Sequence, residues 1–397
     1  MITISCNAPP GTGGLGRHFV ELIDDFRWQR RLRCYYSTAL EPGGAGQDGQ
    51  LVPTGAGMRL SRLPPLRFSE GWRAYLGSEA FDRGVAARLV PADTHVGFPG
   101  QARRTFLRAR RLGFDSLELV AATSHINHVA RQHAEAHRRW PLEDGWLNEA
   151  HRRKVLEEYD LADTIVVSSG YAVQSFLAEG VPERKLRLWD PRPDPRFQPP
   201  ARRPDDGIFR IVFIGAVSVV KGVPVLLEAM RSLPQPDIEL TLVGGYGSRA
   251  MRRHVQGAMG GDPRIRMCPG DPLPHLQRAD VLVHPSFQEG FGYAPMEALA
   301  CDVPVIVTED TGMKEHVEPG HNGWVVPTGS AEAIAGRLGE MLRARPSTRR
   351  DAGPSARQLE PARGHGHGPA ANAGTRGGGV HVEGAGPAHL DALLDQE

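Results

Sequence analysis

The sequence predicts an α/β protein with two doubly wound parallel-sheet domains and a low-complexity C-terminal tail. Apolar strand-like runs alternate with helical patterns along the chain, and a proline-rich stretch, 190–207, interrupts that alternation. The length of 397 residues suits two or three domains. We therefore expect an N-terminal domain over 1–195 and a C-terminal domain over 208–343. Residues 344–397 contain no Ile, Met, Phe, Tyr or Trp, which predicts disorder.

The N-terminal domain opens with a strand-like run, Ile2–Cys6, and a glycine-rich loop at 9–16. Apolar residues then recur at the i, i+3, i+4, i+7 spacing of one helix face: Phe19, Leu22, Ile23 and Phe26. Strand, glycine turn and helix are the first unit of a doubly wound domain. Further on, the Gly- and Pro-rich stretch 41–65 predicts a long loop.

The glycine-rich loop matches Gly-x-Gly-x-x-Gly at Gly11, Gly13 and Gly16, which alone is a weak dinucleotide fingerprint. A dinucleotide site also needs an acidic residue about 20 positions on, at the end of the second strand. Here the second strand ends near 36–38, and the next acid is Glu41. An NAD-dependent oxidoreductase therefore stays an alternative only.

Composition narrows the function classes. The chain has 47 basic and 46 acidic residues, a net charge of +1 and a pI near 7.9, which disfavours a nucleic-acid partner. Its four cysteines are scattered, which suits a reducing cytoplasm and no zinc site. No apolar run approaches the ~18 residues of a membrane span, and the start lacks a basic leader. We expect a cytoplasmic protein without a signal peptide.

The C-terminal domain has a clearer α/β rhythm. Continuous apolar runs predict parallel strands that are buried on both faces. These runs lie at 211–214, 238–243, 281–283, 303–307 and 324–326.

The densest signal for a functional site is the string from His284 to Leu299. A buried strand ends there in a glycine-bracketed loop, and Pro295 suits the first turn of a following helix. The free N–H groups at that helix start form an anion site at the carboxyl edge of the sheet. Glu289 and Glu297 flank this site, and their carboxylates can accept hydrogen bonds from sugar or ribose hydroxyls.

This string resembles the Glu-x7-Glu motif of the retaining glycosyltransferases of family 4, which have the GT-B fold. The resemblance continues through 300–306 and 322–327 and covers most of 208–342. It implies two Rossmann-like domains with a cleft between them. It also implies transfer of a sugar from a nucleotide-diphosphate sugar to a glycan, a lipid-linked acceptor or a small molecule, with retention of configuration. No cofactor and no essential metal are expected.

The resemblance also implies roles for individual residues. Glu289 would contact the donor sugar, and Glu297 would bind the nucleotide ribose. Gly290, Phe291 and Gly292 would bind sugar and phosphates through backbone N–H groups.

The sequence departs from the family pattern in three places. Lys221 is present as a candidate catalytic cation for the leaving diphosphate, but the arginine that usually accompanies it is absent, since Ala216 and Val220 occupy the candidate positions. Asp302 stands where the family usually has Gly, and the 189–194 string is altered. These departures favour a second alternative, a catalytically impaired nucleotide-sugar-binding protein.

Two N-terminal segments also resemble the family. Gly13 and Gly14, with Arg17, look like the glycine loop that lines the acceptor side and approaches the diphosphate. In the segment 123–128, His125 is the candidate catalytic histidine near the donor sugar.

Two further patterns have ordinary explanations. Among His125, His128, His133 and His137, only the last two have helical i, i+4 spacing, so we expect no metal site. Arginines can also follow one helix face, either as a solvated surface or as a contact for anionic lipid at the inner membrane face. These are Arg103, Arg104, Arg108 and Arg111.

Overall fold

Two parallel sheets organise the chain in the computed structural model, which describes residues 1–41, 48–54, 66 and 69–344. Within these ranges the first sheet has seven strands in the order β3-β2-β1-β4-β5-β6-β7. They are β1 (Ile2–Cys6), β2 (Leu32–Ser37), β3 (Gly49–Leu51), β4 (Thr94–Gly97), β5 (Ser116–Ala121), β6 (Thr164–Val167) and β7 (Leu186–Leu188). The order reverses between β1 and β4, as in a doubly wound fold.

Three of the described helices that connect these strands start at a Ser or Asn side-chain cap. Ser69, Asn148 and Ser169 each accept a hydrogen bond from the backbone N–H three residues on, which satisfies one of the free donors of the first turn. The helices of this half are α1 (Gly13–Trp28), α2 (Glu70–Arg88), α3 (Arg103–Arg111), α4 (Ile126–Arg139), α5 (Glu149–Leu161) and α6 (Gly170–Leu177).

The second sheet, within the described stretch 209–326, has six parallel strands in the order β10-β9-β8-β11-β12-β13. They are β8 (Phe209–Ile214), β9 (Ile238–Val243), β10 (Ile265–Met267), β11 (Val281–His284), β12 (Val305–Thr308) and β13 (Gly323–Val326). The helices are α7 (Val223–Arg231), α8 (Arg249–Gly261), α9 (Leu273–Leu276), α10 (Tyr293–Ala300) and α11 (Ala331–Ala344). The predicted α/β class with two Rossmann-like sheets is confirmed.

Strand β8 explains why the apolar runs are continuous. Ile211 and Phe213 belong to one hydrophobic cluster, whereas Val212 and Ile214 belong to another. Successive side chains of a strand point to opposite faces, so both faces of this strand are buried under helices. The proline-rich stretch 190–207 lies between β7 and β8.

One local prediction is wrong. The stretch 41–65 is not loop throughout, because Gly49–Leu51 forms β3 and pairs in parallel with β2. Flanking backbone hydrogen bonds, such as Tyr35 N–H to the Asp48 carbonyl at 2.8 Å, fix this edge strand. An edge strand needs backbone pairing on one side only, so its short polar sequence carries no strand-like pattern.

Parts of two predictions lie outside the described residues. These are 42–47 and 55–65 of the predicted loop, and 345–397 of the predicted disordered tail.

Asp302 has a left-handed backbone conformation, with φ of +55°, directly after α10. Asp tolerates this region better than most residues, but only Gly enters it without a Cβ penalty. The Arg203 guanidinium donates hydrogen bonds to the carbonyls of Cys301 and Asp302, so backbone contacts hold the turn in place. The Gly usual at this position in the resembling family therefore has a conformational reason.

We predict that Asp302→Gly raises the free energy of unfolding by about 0.5–1 kcal/mol, because relief of the left-handed strain exceeds the added chain entropy. Asp302→Ala, which keeps the Cβ and removes the carboxylate attracted to Arg203, is expected to be less stable than the natural chain. Urea unfolding at pH 7 measures both. Equal stabilities of the Gly and Ala variants would contradict this explanation.

Candidate functional site

A cavity of about 540 Å³ lies between the two sheets. Its lining residues follow the carboxyl ends of strands in both halves of the chain. Asn7 follows β1, Phe98 follows β4 and Thr123 follows β5, while Lys221 follows β8 and Glu289 follows β11. Ligands of open α/β sheets bind at this edge, near the point where the strand order reverses. The cavity is therefore the candidate site.

Glu289 is held on the cavity wall by two groups of its own half. The Lys221 ammonium donates a hydrogen bond to its carboxylate, and the His284 Nε2 lies 3.6 Å from the same oxygen. Burial raises the pKa of this carboxyl, but Lys221 and His284 outweigh burial and lower the pKa to about 2. Glu289 is thus an anion at neutral pH that accepts hydrogen bonds and does not act as an acid.

Lys221 is positioned by the residue that follows it. Gly222 has φ of +70° and caps α7, and a Cβ there would overlap the Pro285 carbonyl oxygen. The β8–α7 and β11–α10 loops therefore touch backbone to backbone, which only Gly allows. The Phe287 N–H to Val220 carbonyl hydrogen bond, 2.9 Å long, ties them together next to the Lys221–Glu289 pair.

The predicted binding loop, 290–292, runs along the opposite half of the chain. A Cβ on Gly290 would overlap the Ala122 carbonyl, and the Ser169 hydroxyl donates a 2.6 Å hydrogen bond to the Gly290 carbonyl. Phe291 and Gly292 line the cavity, and Gly292 caps α10. The first N–H groups of a helix have no intrahelical acceptor, so the start of α10 offers hydrogen-bond donors at the cavity.

Glu297 lies on α10 and its side chain is 1% exposed. Its Oε1 is bound by Arg17 of α1, and its Oε2 has no hydrogen-bond partner among the described residues. Burial raises the pKa of this carboxyl, and the Arg17 guanidinium opposes the rise. Glu297 is not among the residues that line the cavity, and the ribose contact expected for its unpaired oxygen stays a prediction.

The glycine-rich loop approaches the same place from the first sheet. Gly13 begins α1, and Gly14 lines the cavity, where its Cα hydrogen faces the Tyr293 ring. Arg17 also lies over this ring, with 5.4 Å between its Cζ and the centroid. The positive ends of α1 and α10 therefore meet at one point of the cavity, which favours an anion there.

His125 is not among the residues that line the cavity. It caps α4, where its Nδ1 accepts the Asn127 N–H at 3.2 Å, and its ring packs against Tyr159 and Phe176. Burial lowers its pKa to about 4. These contacts explain its position by packing and helix capping, and the catalytic role expected for it stays a prediction.

Two other histidines, His18 and His151, do line the cavity, and sequence reasoning missed them. His18 stacks on Trp189 with 4.1 Å between ring centroids, and His151 lies edge-on to Trp146 at 5.3 Å. The only sequence signal for His18 is its place one residue after Arg17 in the glycine-loop helix. No spacing rule indicates His151, because its neighbours come from distant segments.

Three further sequence predictions concern a metal site, the arginines of α3 and a membrane-spanning helix. No group of three or more metal-ligating side chains occurs within the described ranges. The four arginines of the predicted face lie on α3, where Arg103 pairs with Glu157 and Arg104 pairs with Glu79 on neighbouring helices, and the contact with anionic lipid stays a prediction. No helix in the described part of the chain is long and apolar enough to cross a membrane.

The structure also shows where the acidic residue considered for the dinucleotide alternative lies. Glu41, the first acid after β2, is held by Arg27 at 2.6 Å. That carboxylate is engaged with α1, and it is not among the cavity-lining residues.

Comparison with known sequences identifies a family domain. Residues 196–359 match the family described as glycosyl transferases group 1. D-inositol 3-phosphate glycosyltransferase of Pseudarthrobacter chlorophenolicus is 32% identical over 237 residues, which cover 54% of this chain and 56% of that protein. The protein of the same description from Mycolicibacterium gilvum is 33% identical over 147 residues, or 35% of this chain and 33% of that protein. The chain thus matches about a third to just over half of the length of these relatives.

Solved structures share the fold. Sucrose-phosphate synthase from Thermosynechococcus elongatus superposes with a TM-score of 0.67 at 18% identity, covering 86% of this chain and 89% of that one. Alr3699/HepE of Anabaena, in complex with UDP-glucose, superposes with a TM-score of 0.62 at 16% identity, covering 86% and 90%. At such identities the likeness establishes the fold alone.

We predict that Lys221→Met lowers the free energy of unfolding by about 1–3 kcal/mol at pH 7, because it leaves the Glu289 carboxylate without its cation. Lys221→Met combined with Glu289→Gln should recover most of that loss. Urea unfolding of the natural chain, both single variants and the double variant measures the coupling. A double variant no more stable than Lys221→Met alone would contradict a direct pairing.

The contribution of the ionised Glu289 to the free energy of unfolding depends on pH with a defined sign. The folded-state pKa of Glu289 is lowered from 4.5 to about 2, so its ionisation adds stability above about pH 4.5 that is lost as the pH falls towards 2. Without Lys221 the buried carboxyl takes up a proton at higher pH. The stability loss of Lys221→Met should therefore shrink between pH 7 and pH 5.

Proposed function

We propose that this chain, whose residues 196–359 match the glycosyl transferases group 1 family and whose fold is GT-B, is a retaining glycosyltransferase of that family. Its donor would be a nucleotide-diphosphate sugar, and its acceptor a hydroxyl compound bound against the first sheet. The observation that carries this proposal is the Lys221–Glu289 pair, which faces the cavity beside the start of α10.

The donor would lie along the β11–α10 loop. The unpaired Oε2 of Glu297 would accept a hydrogen bond from a ribose hydroxyl, and N–H groups of 290–292 would bind phosphate oxygens. The structural neighbour that binds UDP-glucose supports a UDP-sugar as the first donor to test. Glu289, kept ionised by Lys221, would accept hydrogen bonds from donor-sugar hydroxyls and so orient the anomeric carbon.

In the proposed reaction the acceptor oxygen forms a bond to the anomeric carbon while the bond from that carbon to the diphosphate oxygen breaks. The attack occurs on the face that the diphosphate leaves, and the hydroxyl proton passes to the departing phosphate oxygen. The products are a glycoside and a nucleoside diphosphate. Lys221 and the start of α10 would stabilise the negative charge that develops on the diphosphate.

Arg17 is our candidate for the cation that the 216–220 segment lacks. It comes from α1, on the facing half, and its guanidinium lies beside Tyr293 at the start of α10. Arg17 is paired with Glu297, as Lys221 is with Glu289. Donor hydroxyls would take over the two carboxylates and leave both cations to the diphosphate.

A nucleotide-sugar-binding protein without transferase activity is the second candidate, favoured by the absent arginine. A thermal-shift panel of UDP, GDP, ADP and TDP and their sugars, followed by donor-consumption assays with EDTA present, separates the two. A ligand at 100 times its Kd adds about 2.7 kcal/mol of stability. Binding with turnover supports the transferase, binding without turnover supports the second candidate, and no binding contradicts the donor site.

We predict that Glu289→Ala lowers kcat for transfer at least 100-fold, because the donor sugar loses its orienting carboxylate. Nucleoside diphosphate binding, measured by calorimetry, should change less than tenfold, since the ribose and phosphates contact other groups. Asp262→Ala, a change in the α8–β10 turn, is the matched control and should retain full activity. Unchanged transfer by Glu289→Ala would contradict its proposed role.

We predict that Arg17→Gln weakens UDP binding 10- to 100-fold and leaves uridine binding nearly unchanged, because only UDP carries the diphosphate. Glu297→Gln should weaken both ligands equally, because both carry the ribose. Arg17→Lys should keep part of the UDP affinity. Calorimetry with UDP and uridine measures all three, with exposed Arg108→Gln as control. Equal losses for UDP and uridine in Arg17→Gln would contradict the diphosphate role.

A further inference from the structure

The acceptor side of the cavity differs in character from the donor side. Lys221 and Glu289 are the charged side chains among the described residues that line the cavity, and they neutralise each other on the wall formed by the second sheet. The facing wall has no Lys, Arg, Asp or Glu among its described residues. It presents uncharged polar side chains, such as Asn7 and Gln101, and the aromatic rings of Phe98, Trp146, Tyr159 and Trp189.

Two imidazoles interrupt this aromatic wall. His18 and His151 are 3% and 6% exposed, and each has a ring nitrogen without a hydrogen-bond partner among the described residues, Nε2 of His18 and Nδ1 of His151. Burial lowers their pKa values to about 3 and about 4, so both rings are neutral at pH 7. A neutral imidazole can exchange a hydrogen bond with a hydroxyl, but it adds no charge to balance an anion.

Nearby charged groups are already engaged. Lys154, on the same helix as His151, is 3% exposed and bound to Glu79 and Asp82 at 2.5 and 3.0 Å. Glu158 accepts backbone N–H groups of the segment after β4, including that of Ala102 at 2.8 Å. Releasing Lys154 to bind a ligand would leave the fully buried Asp82 carboxylate without its cation, which costs several kcal/mol.

We propose that the acceptor is an uncharged ring compound with an apolar face and hydroxyl groups at its edge. This inference rests on the proposed function and specifies its acceptor. The apolar face would pack on Trp146 and Trp189, and the imidazoles would bind hydroxyls. The reacting hydroxyl oxygen bonds to the anomeric carbon, and its proton leaves with the nucleoside diphosphate. A pyranose of a glycan and a hydroxylated aglycone both have this chemistry.

The test compares acceptors that differ only in charge or in ring type. Release of UDP from UDP-glucose, or from the donor that the nucleotide panel identifies, is measured with myo-inositol, D-inositol 3-phosphate, phenyl β-glucoside, methyl β-glucoside and 4-methylumbelliferone. We expect at least tenfold higher kcat/KM for myo-inositol than for its phosphate, and the highest value for a neutral ring compound. The glucosides and the umbelliferone distinguish a glycan acceptor from an aglycone.

Two variants test whether the preference for a neutral acceptor depends on the aromatic wall of the cavity. Trp146→Ala should raise the acceptor KM about tenfold, whereas the Kd for UDP should change less than twofold. Trp28→Ala, at an 84% exposed site, is the matched control and should leave both values unchanged.

The outcomes separate this inference from the proposed function. Absence of binding by every nucleotide of the panel, together with absence of donor hydrolysis, contradicts the proposed function itself. Donor hydrolysis combined with a preference for D-inositol 3-phosphate overturns only the acceptor inference. Hydrolysis that no neutral compound accelerates also overturns it, as does an unchanged acceptor KM in Trp146→Ala.

Discussion

The pairing of Lys221 with Glu289 is the interaction on which the rest of the site depends. A carboxylate at this partly buried edge of the second sheet stays ionised only because a cation lies beside it. That cation is in place only because Gly222 lets its loop pass against the Pro285 carbonyl. The ionisation of Glu289 and the packing of two loops are therefore set by a few adjacent atoms.

The contacts that hold the two sheets together use the same loops as the site. The Ser169 hydroxyl binds the Gly290 carbonyl, and the Glu315 carboxylate accepts the N–H groups of Gly170 and Tyr171 at the start of α6. The Arg17–Glu297 pair adds a further contact next to them. Because these contacts surround the candidate donor loop, stability and ligand affinity are coupled here, and a variant at this boundary affects both.

Features set by residues close together in the chain were predictable from the sequence, whereas contacts between distant residues were not. The apolar runs predicted parallel strands because burial on both faces leaves a continuous pattern, and a short string contained both Glu289 and Glu297. The partner of Glu297 was not predictable by spacing, because Arg17 lies 280 positions away. The edge strand β3 and the cavity position of His151 were missed for related reasons. Strand β3 depends on backbone pairing, and the cavity position of His151 depends on rings from separate segments.

The stacked rings of Trp189 and His18 have a spectroscopic consequence. Three of the six tryptophans, Trp140, Trp146 and Trp189, lie at the boundary of the two halves, where each contacts an aromatic or imidazole ring. Indole emission depends on the polarity around the ring and on quenching by a neighbouring imidazole. The intrinsic tryptophan fluorescence therefore changes when the sheets separate or a ligand enters, and no added label is needed to follow either event.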